Sequence, residues 1–467
     1  MKSVTIAQMR EIERLTFGGG GVTAELAMEN AGGEAARRLF CAGGQVRVLF
    51  PDGTVGLRGD ALGNYNRLIA LGVPICERLD LSEADVIIDA LLGIGARGAP
   101  TGGVKAAIEA INNSGARVVA VDLPSGVNAD TGAVDGVCVQ ADVTVTFGLM
   151  KNGLALYPAA GFAGEVRVWD VSFAPDAVAA QRIDTEVMEG VALRSLRPDA
   201  HKGTKGKLFA LCGSAGLSGA AYLSASAAMR AGCGTVTLGV PRGIQPVLAA
   251  KLTEVMTRAL DDRDGVVAAG AIPEILRAAA NADAVLCGCG LGRSPEADAV
   301  VVALAEHCNA PLILDADGIN AITSHTDILR SLACDIAVTP HPGEMSRLTG
   351  LPVANITGDP LAVTKAFASE YHVITVLKGA STVIALPGGA ARIIKGGNPA
   401  MGTAGSGDVL AGVIASLAAQ GYPLAEAAAT GAYLHARAGA IAASRSGRGT
   451  IAGDILDSIP QALREVD

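Results

Sequence analysis

The chain of 467 residues is predicted to fold as two α/β domains, each a three-layer arrangement with a mostly parallel sheet between helices. Three observations carry that prediction. The length exceeds what one hydrophobic core usually supports, so two or more domains are expected. Half of the residues are hydrophobic, 18% are charged and 60 are Gly, the profile of compact α/β domains rich in tight strand-to-helix turns. Short apolar runs ending at Gly or Asp also alternate with Ala-rich helical stretches, the pattern of strands buried on both faces.

In chain order the strands are expected at 46–50, 86–90, 118–121, 143–147, 208–212, 285–289, 312–314, 336–339 and 374–378. Between 166 and 197 the pattern weakens, which reads as a connection with a boundary near 175–195 and domains over 1–180 and 190–467. No short-period repeat is visible, although both halves share the α/β character of separate enzymes fused in one chain. In such sheets ligands sit at the carboxyl ends of the strands, so the loops after them hold the candidate chemistry.

Charge and cysteine usage exclude several classes. A net charge of −9 gives no broad basic field, so no nucleic acid partner is expected. The nine Cys lack a CxxC pair or metal-like spacing, as expected of reduced thiols in a cytoplasmic protein, and Cys287 and Cys289 read as small buried apolar residues. The first ten residues lack the apolar core of a signal peptide. The longest uncharged stretch, 208–229, is interrupted by Gly-Ser-Ala-Gly-Leu-Ser-Gly and reads as strand, loop and helix, so no membrane span is expected.

The strongest local signal is Lys395-Gly-Gly-Asn-Pro-Ala-Met-Gly-Thr-Ala-Gly-Ser-Gly-Asp408, which runs straight into an apolar helix. Free amides and the helix dipole would converge there on an anion, such as a nucleotide phosphate. Asp408 could accept a hydroxyl proton as that oxygen attacks a phosphoryl group, or could simply cap the helix. His341, between two prolines after the 336–339 strand, is either a rigid ligand contact or a loop histidine. Asp315 and Asp317 could reach metal or ribose, or cap the next helix. His201 and Lys202 could meet phosphate or lie in a solvated connection.

Six ordered motifs occupy the C-terminal half: His201-Lys-Gly-Thr-Lys-Gly-Lys207, Gly213-Ser-Ala-Gly-Leu-Ser-Gly-Ala220, Ala228-Met-Arg-Ala-Gly-Cys-Gly234, Thr339-Pro-His-Pro-Gly-Glu-Met345, Lys378-Gly-Ala-Ser-Thr382 and the stretch from Asn398 to Asp408. Together they resemble the ADP-dependent NAD(P)H-hydrate dehydratases, whose fold is ribokinase-like. The resemblance implies that a hydroxyl on a damaged nicotinamide ring is phosphorylated by ADP with Mg²⁺, and that phosphate then leaves to regenerate NADH or NADPH. It implies Asp408 as the base that contacts the hydrate, and Ala220, Gly292 and His341 as lining of the hydrate pocket. The nucleotide would be held by Lys378, Gly379, Ala380, Ser381 and Thr382, and by Asn398, Pro399, Ala400, Met401, Gly402, Thr403, Ala404, Gly405, Ser406 and Gly407. A ribokinase-like kinase for a small vitamin-precursor alcohol is the alternative, and it would share the 402–408 loop but leave the N-terminal half unexplained.

That half carries Ile87-Ile-Asp89-Ala-Leu-Leu-Gly-Ile-Gly-Ala-Arg-Gly98 and Val119-Ala-Val-Asp122-Leu-Pro-Ser-Gly126, each with an Asp at the end of an apolar strand. Two such ends side by side could form one pocket, although Asp122 is also an ordinary turn or cap residue. With Met28-Glu-Asn-Ala-Gly32, Asp142-Val-Thr-Val-Thr-Phe-Gly148 and Lys151, these motifs resemble the Rossmann-like NAD(P)H-hydrate epimerases over most of 4–172. The resemblance implies Asp122 as the acid/base that interconverts R and S hydrates, with substrate held by Gly93, Ile94, Gly95, Ala96, Arg97, Gly98 and Ala99. It also implies K⁺ at Asp89 and Ser125. The chain departs from the pattern after 28–32: a strand, a Gly-Asn-Asn-Gly-Gly-Asp-type loop and a helix, about 30 residues, are missing before the helix suggested by Ala35-Ala-Arg-Arg-Leu-Phe-Cys41. That loss argues against epimerase turnover and leaves a scaffold or dimerisation role open for residues 1–172. A homo-oligomer acting on a small-molecule hydrate is the expected assembly.

Overall fold

The computed structural model describes residues 1–18, 40–55, 57, 59–76 and 80–467, so the 28–32 motif and most of the 35–41 helix lie outside the described residues. The chain divides into two compact units, Met1–Thr185 and Glu186–Asp467.

In the first unit, strands Val86–Asp89, Arg117–Val121, Val143–Phe147 and Glu165–Trp169 form a four-stranded parallel sheet in that order. Helix Gly102–Asn113 buries Ala107, Ile108 and Ile111, positions i, i+1 and i+4 of one face, in a core with Ile87, Val118, Ala120 and Val139. Short parallel pairs join Val48–Leu49 to Ile75–Cys76 and Lys2–Val4 to Met150–Lys151.

In the second unit the strand order is Met256–Leu260, Thr235–Pro241, Lys207–Leu211, Ala284–Cys287, Leu312–Leu314, Ile336–Val338 and Ile374–Leu377, all parallel. An antiparallel hairpin, Thr382–Ala385 and Ala391–Ile394, continues the sheet from the Ile374–Leu377 strand. The central strands Ala284–Cys287, Leu312–Leu314 and Ile336–Val338 are buried at every residue, which is why they read as unbroken apolar runs. Helix Ser406–Ala419 is buried at every position from Val409 onward, as an all-round apolar helix must be. It lies against helix Ser218–Arg230 so closely that a side chain on Gly412 would collide with the Ser224 carbonyl. This contact anchors the helix that carries the 402–408 loop.

One expectation is corrected. The 166–197 stretch contains strands Glu165–Trp169 and Thr185–Met188 and helix Pro175–Ala179. In Glu165–Trp169 every second residue is exposed, and Glu165 and Arg167 break the apolar run that marks the inner strands. Among the described residues, no helix is long and apolar enough to cross a membrane.

Candidate active site

Asp315, Thr339 and Lys378 each directly follow one of three neighbouring parallel strands, so the sheet brings them together at its carboxyl edge. Lys378 Nζ lies 2.6 Å from Asp315 Oδ1, which also accepts from Thr339 Oγ1 at 2.6 Å. Glu344 Oε2 stands 3.8 Å from the same ammonium. Burial alone would lower the Lys378 ammonium, but the charges of Asp315 and Glu344 outweigh it and hold Lys378 above its usual range. Asp315 is 1% exposed, and the next residue, Ala316, sits at φ 49° in the left-handed region. Such strain persists where surrounding contacts fix it and is common at active sites.

The phosphate-loop residues face this group. Gly405 caps helix Ser406–Ala419 at φ 90°, and a side chain there would stand 2.5 Å from Leu223 Cδ1. Asp408 is therefore the third helical residue rather than the cap. The amides of Ala404, Gly405, Gly407 and Asp408 find no acceptor among the described residues, as an anion site requires. Burial, reinforced by the negative charge of Asp315, pushes the Asp408 carboxyl up to about 6. A Cβ at Gly407 would be 3.3 Å from Lys378 Nζ, which sets the ammonium against the loop. Ser406 Oγ lies 3.2 Å from Nε2 of His435, a histidine 8% exposed that burial pushes down to about 4 and so leaves neutral.

The remaining expected residues surround these two groups. His341 caps helix Pro342–Thr349: its Nδ1 accepts from Gly343 N at 3.0 Å, and its own amide donates to Glu344 Oε2 at 2.8 Å. Through Glu344 it is tied to Lys378. Gly292 N donates to Asp317 Oδ2 at 2.9 Å, and a Cβ at Gly290 would approach Ala220 Cβ at 2.7 Å, so Ala220 packs against the same glycine turn that carries Gly292. A Cβ at Gly397 would come 2.5 Å from Ala380 O, which places the 378–382 turn beside the start of the nucleotide loop. Asn398 Oδ1 accepts from Ala400 N at 2.9 Å and fixes the Pro399–Met401 turn. A cavity of about 650 Å³ opens beside Asn398, Pro399, Ala400, Gly402 and Thr403 and is closed by Gly447, Arg448, Gly449, Thr450 and Ile451. Its size suits a nucleotide, and no acidic residue lines it. His201 and Lys202 lie in an exposed turn at the start of the Lys207–Leu211 strand, away from the carboxyl edge.

Cys289, Asp315 and Asp408 bring three ligand atoms within 4.8 Å of one another. Asp315 Oδ1 is already engaged by Lys378 and Thr339, and a thiol suits softer metals than Mg²⁺, so this trio does not form an Mg²⁺ cage. Cys287 and Cys289 are both buried, as read from the sequence.

In the Met1–Thr185 unit the two strand-end aspartates are adjacent. Ser125 Oγ donates to Asp89 Oδ1 at 2.6 Å, and Ser125 N donates to Asp89 Oδ2 at 2.8 Å. Burial raises the Asp89 carboxyl, and no cationic side chain faces it among the described residues. A buried carboxylate without a counter-charge fits a small cation. Asp122 Oδ1 takes Lys151 Nζ at 2.6 Å and Thr146 Oγ1 at 3.2 Å. The loop from Gly93 to Ala99 turns through an Ala96 N to Gly93 O bond of 3.1 Å, and a Cβ at Gly95 would be 3.9 Å from Arg10 Nη2.

Sequence reading missed the partners Thr339, Glu344 and His435 in these roles, and it missed the Lys378–Asp315 pair. The order of neighbouring strands was the signal that could have found the pair, because residues just past adjacent strand ends must meet.

A family model described as NAD(P)H-hydrate dehydratase matches residues 208–461, and one described as YjeF-related protein N-terminus matches 15–153. A bifunctional NAD(P)H-hydrate repair enzyme from Moorella thermoacetica is 39% identical over 100% of this chain and 97% of its own length. The Thermofilum pendens enzyme of the same name is 36% identical over 99% and 96%. The chain belongs to the bifunctional NAD(P)H-hydrate repair enzymes. Both halves of this repair enzyme are thus matched, which the vitamin-precursor kinase alternative does not explain. Among solved structures, the ADP/ATP-dependent NAD(P)H-hydrate dehydratase of Bacillus subtilis, co-crystallised with ATP and Mg²⁺, is 27% identical with a TM-score of 0.51, covering 59% of this chain and 95% of that one. A ribokinase-like superfamily protein from Enterococcus faecalis is 26% identical with a TM-score of 0.53, covering 61% and 96%. The expected α/β class and the ribokinase-like fold are borne out. The alignment to the M. thermoacetica repair enzyme runs over 516 positions, more than the 467 residues present here, so parts of that relative face gaps in this chain. A chain lacking an internal strand-loop-helix unit would align in that way.

Proposed function

We propose that the Glu186–Asp467 unit dehydrates the S hydrate of NADH or NADPH at the expense of ADP. The observation that carries this reading is Asp408, a carboxyl pushed up to about 6 in the first turn of a helix whose amides await an anion. A base of that strength is ionised at neutral pH and still takes up a proton readily. Asp408 accepts the proton of the ring hydroxyl while its oxygen bonds to the terminal phosphorus of ADP and the bond to AMP breaks. Loss of phosphate from the ring carbon, with a ring proton, restores the double bond and gives NAD(P)H, AMP and phosphate. The amides at Ala404, Gly405, Gly407 and Asp408, with Lys378 fixed by Asp315 and Glu344, stabilise charge on the transferred group. Residues 378–382 and 398–407 hold the nucleotide, and Ala220, Gly292 and His341 line the hydrate side. Mg²⁺ would arrive on the nucleotide's own oxygens, since no side-chain cage fits it among the described residues.

In the Met1–Thr185 unit, Asp122 would exchange the proton as R and S hydrates interconvert, and the 93–99 loop would hold substrate. Asp89 and Ser125 would hold K⁺, which supplies the missing counter-charge. The enzyme would work in the cytoplasm, with the nicotinamide nucleotide pool, and as a homo-oligomer. The test follows recovery of reduced-dinucleotide absorbance from purified S hydrate with ADP, ATP or no nucleotide. Wild type is expected to require nucleotide and to prefer ADP, and Asp408→Ala to lose about 10²–10⁴-fold. Full activity of that variant would remove Asp408 from the mechanism.

A further inference from the structure

The Met1–Thr185 unit buries a lysine inside its candidate site. Lys151 is 1% exposed, and its Nζ lies 2.6 Å from Asp122 Oδ1, 3.0 Å from Thr146 Oγ1 and 3.0 Å from Phe147 O. An ammonium has three protons, so each is engaged. Asp122 is held at φ 68°, a region that side-chain-bearing residues seldom enter, with its amide on Val145 O at 2.8 Å. Its Oδ1 is taken by Lys151 and Thr146, whereas Oδ2 bonds to nothing among the described residues. A strained aspartate and a buried ion pair are both unfavourable in themselves, and here they coincide at one strand end.

Other charges face this pair from helix Ile6–Gly18. Glu13 is half-buried, and burial raises its carboxyl while the Lys151 ammonium draws it back. Arg10, one turn earlier, stands beside Gly95 of the substrate loop. The charged groups around Asp122 are therefore Lys151, which touches it, and Glu13, with Arg10 beside Glu13.

We infer that Lys151 is a positioning residue for hydrate epimerisation, pinning Asp122 Oδ1 so that Oδ2 alone is offered to the substrate as the base. The inference rests on the reading of this unit as an epimerase. The hydroxyl sits on a carbon next to the ring nitrogen, so Oδ2 can take the hydroxyl proton while a C=O bond forms and the C–N bond breaks, its pair going to the nitrogen, which takes that proton from Oδ2. After rotation about the neighbouring C–C bond the nitrogen bonds to the opposite face of that carbon, and its proton passes through Oδ2 back to the oxygen. The two halves balance, and Lys151 surrenders no proton in either.

The experiment uses the full chain with an R-enriched hydrate, measuring R consumption above the spontaneous rate across pH. Dehydration of S hydrate by the same sample reports an intact enzyme and sound substrate. Lys151→Met is expected to slow epimerisation by at least about 10-fold and to move its acid limb to higher pH, because Oδ1 loses its cation. Lys151→Arg, which keeps the charge, is expected to restore the pH profile in part. Thr146→Val, which removes one anchor of the ammonium, should lower the rate less than Lys151→Met. A lower rate with an unmoved pH profile in Lys151→Met, or no effect of either lysine variant, overturns the inference while leaving the epimerase reading standing. If Lys151→Met loses the fold of this unit, Lys151→Arg and Thr146→Val decide: wild-type rate and profile in both overturns the inference. R hydrate consumed only at the spontaneous rate by wild type removes the epimerase reading, and the inference with it.

Discussion

Ionising Asp408 in its folded surroundings costs stability, since burial and Asp315 push its carboxyl up to about 6. The folded value exceeds the unfolded one, so this contribution is fully present below the unfolded pKa and is lost as pH rises through about 6. Its size is about 3 kcal/mol. Asp408→Asn is therefore expected to abolish turnover and yet raise the thermal midpoint at neutral pH, which scanning calorimetry would show. A lowered midpoint would contradict the assigned environment. The same carboxyl predicts that kcat/KM for S hydrate falls as pH drops below about 6. His435 acts with the opposite sign: burial holds it down at about 4, so its contribution is present above the unfolded value and lost as pH falls through about 4. Lys378→Met would strand Asp315 as an unpaired buried charge, at about 3–5 kcal/mol by urea unfolding, and adding Asp315→Leu should recover much of that. Asp408 and His341 were legible in the sequence because Gly and Pro punctuate their surroundings. The Lys378–Asp315 pair was not, because its members are 63 positions apart and only strand order joins them.

Helix Ser406–Ala419 shows how an element fixes a site. Its close approach to helix Ser218–Arg230 needs glycine at 412, so Gly412→Ala must push the two helices apart and carry the phosphate loop with them. A loss of about 1–3 kcal/mol is expected, together with weaker ADP binding by calorimetry. Unchanged ADP affinity would mean that the loop holds its shape without that packing. The helix was legible because its apolar run starts inside the glycine loop. The inner parallel strands were legible for a related reason, being apolar without interruption. Glu165–Trp169 and the hairpin Thr382–Ala385 with Ala391–Ile394 escaped reading: the first alternates exposed and covered residues, and the second is short and split by a Pro-Gly-Gly turn.

Across the whole molecule, two candidate sites are built by the same rule. In each unit an aspartate just past a parallel strand pairs with a lysine, Asp122 with the buried Lys151 and Asp315 with the partly buried Lys378. The Glu186–Asp467 unit matches the dehydratase family model over residues 208–461. The Met1–Thr185 unit keeps Asp89 bonded to Ser125 and Asp122 bonded to Lys151, although the alignment to the M. thermoacetica enzyme leaves gaps in this chain. A chain that repairs S hydrate and also draws down R hydrate would make the shortened unit a working enzyme rather than a scaffold.

The most direct measurement is the recovery of reduced-dinucleotide absorbance from pure S hydrate with ADP, in wild type and Asp408→Ala. The account predicts ADP-dependent recovery with release of AMP and phosphate, lost in the variant. Recovery that survives Asp408→Ala, or untouched hydrate alongside phosphorylation of a simple alcohol, would contradict it.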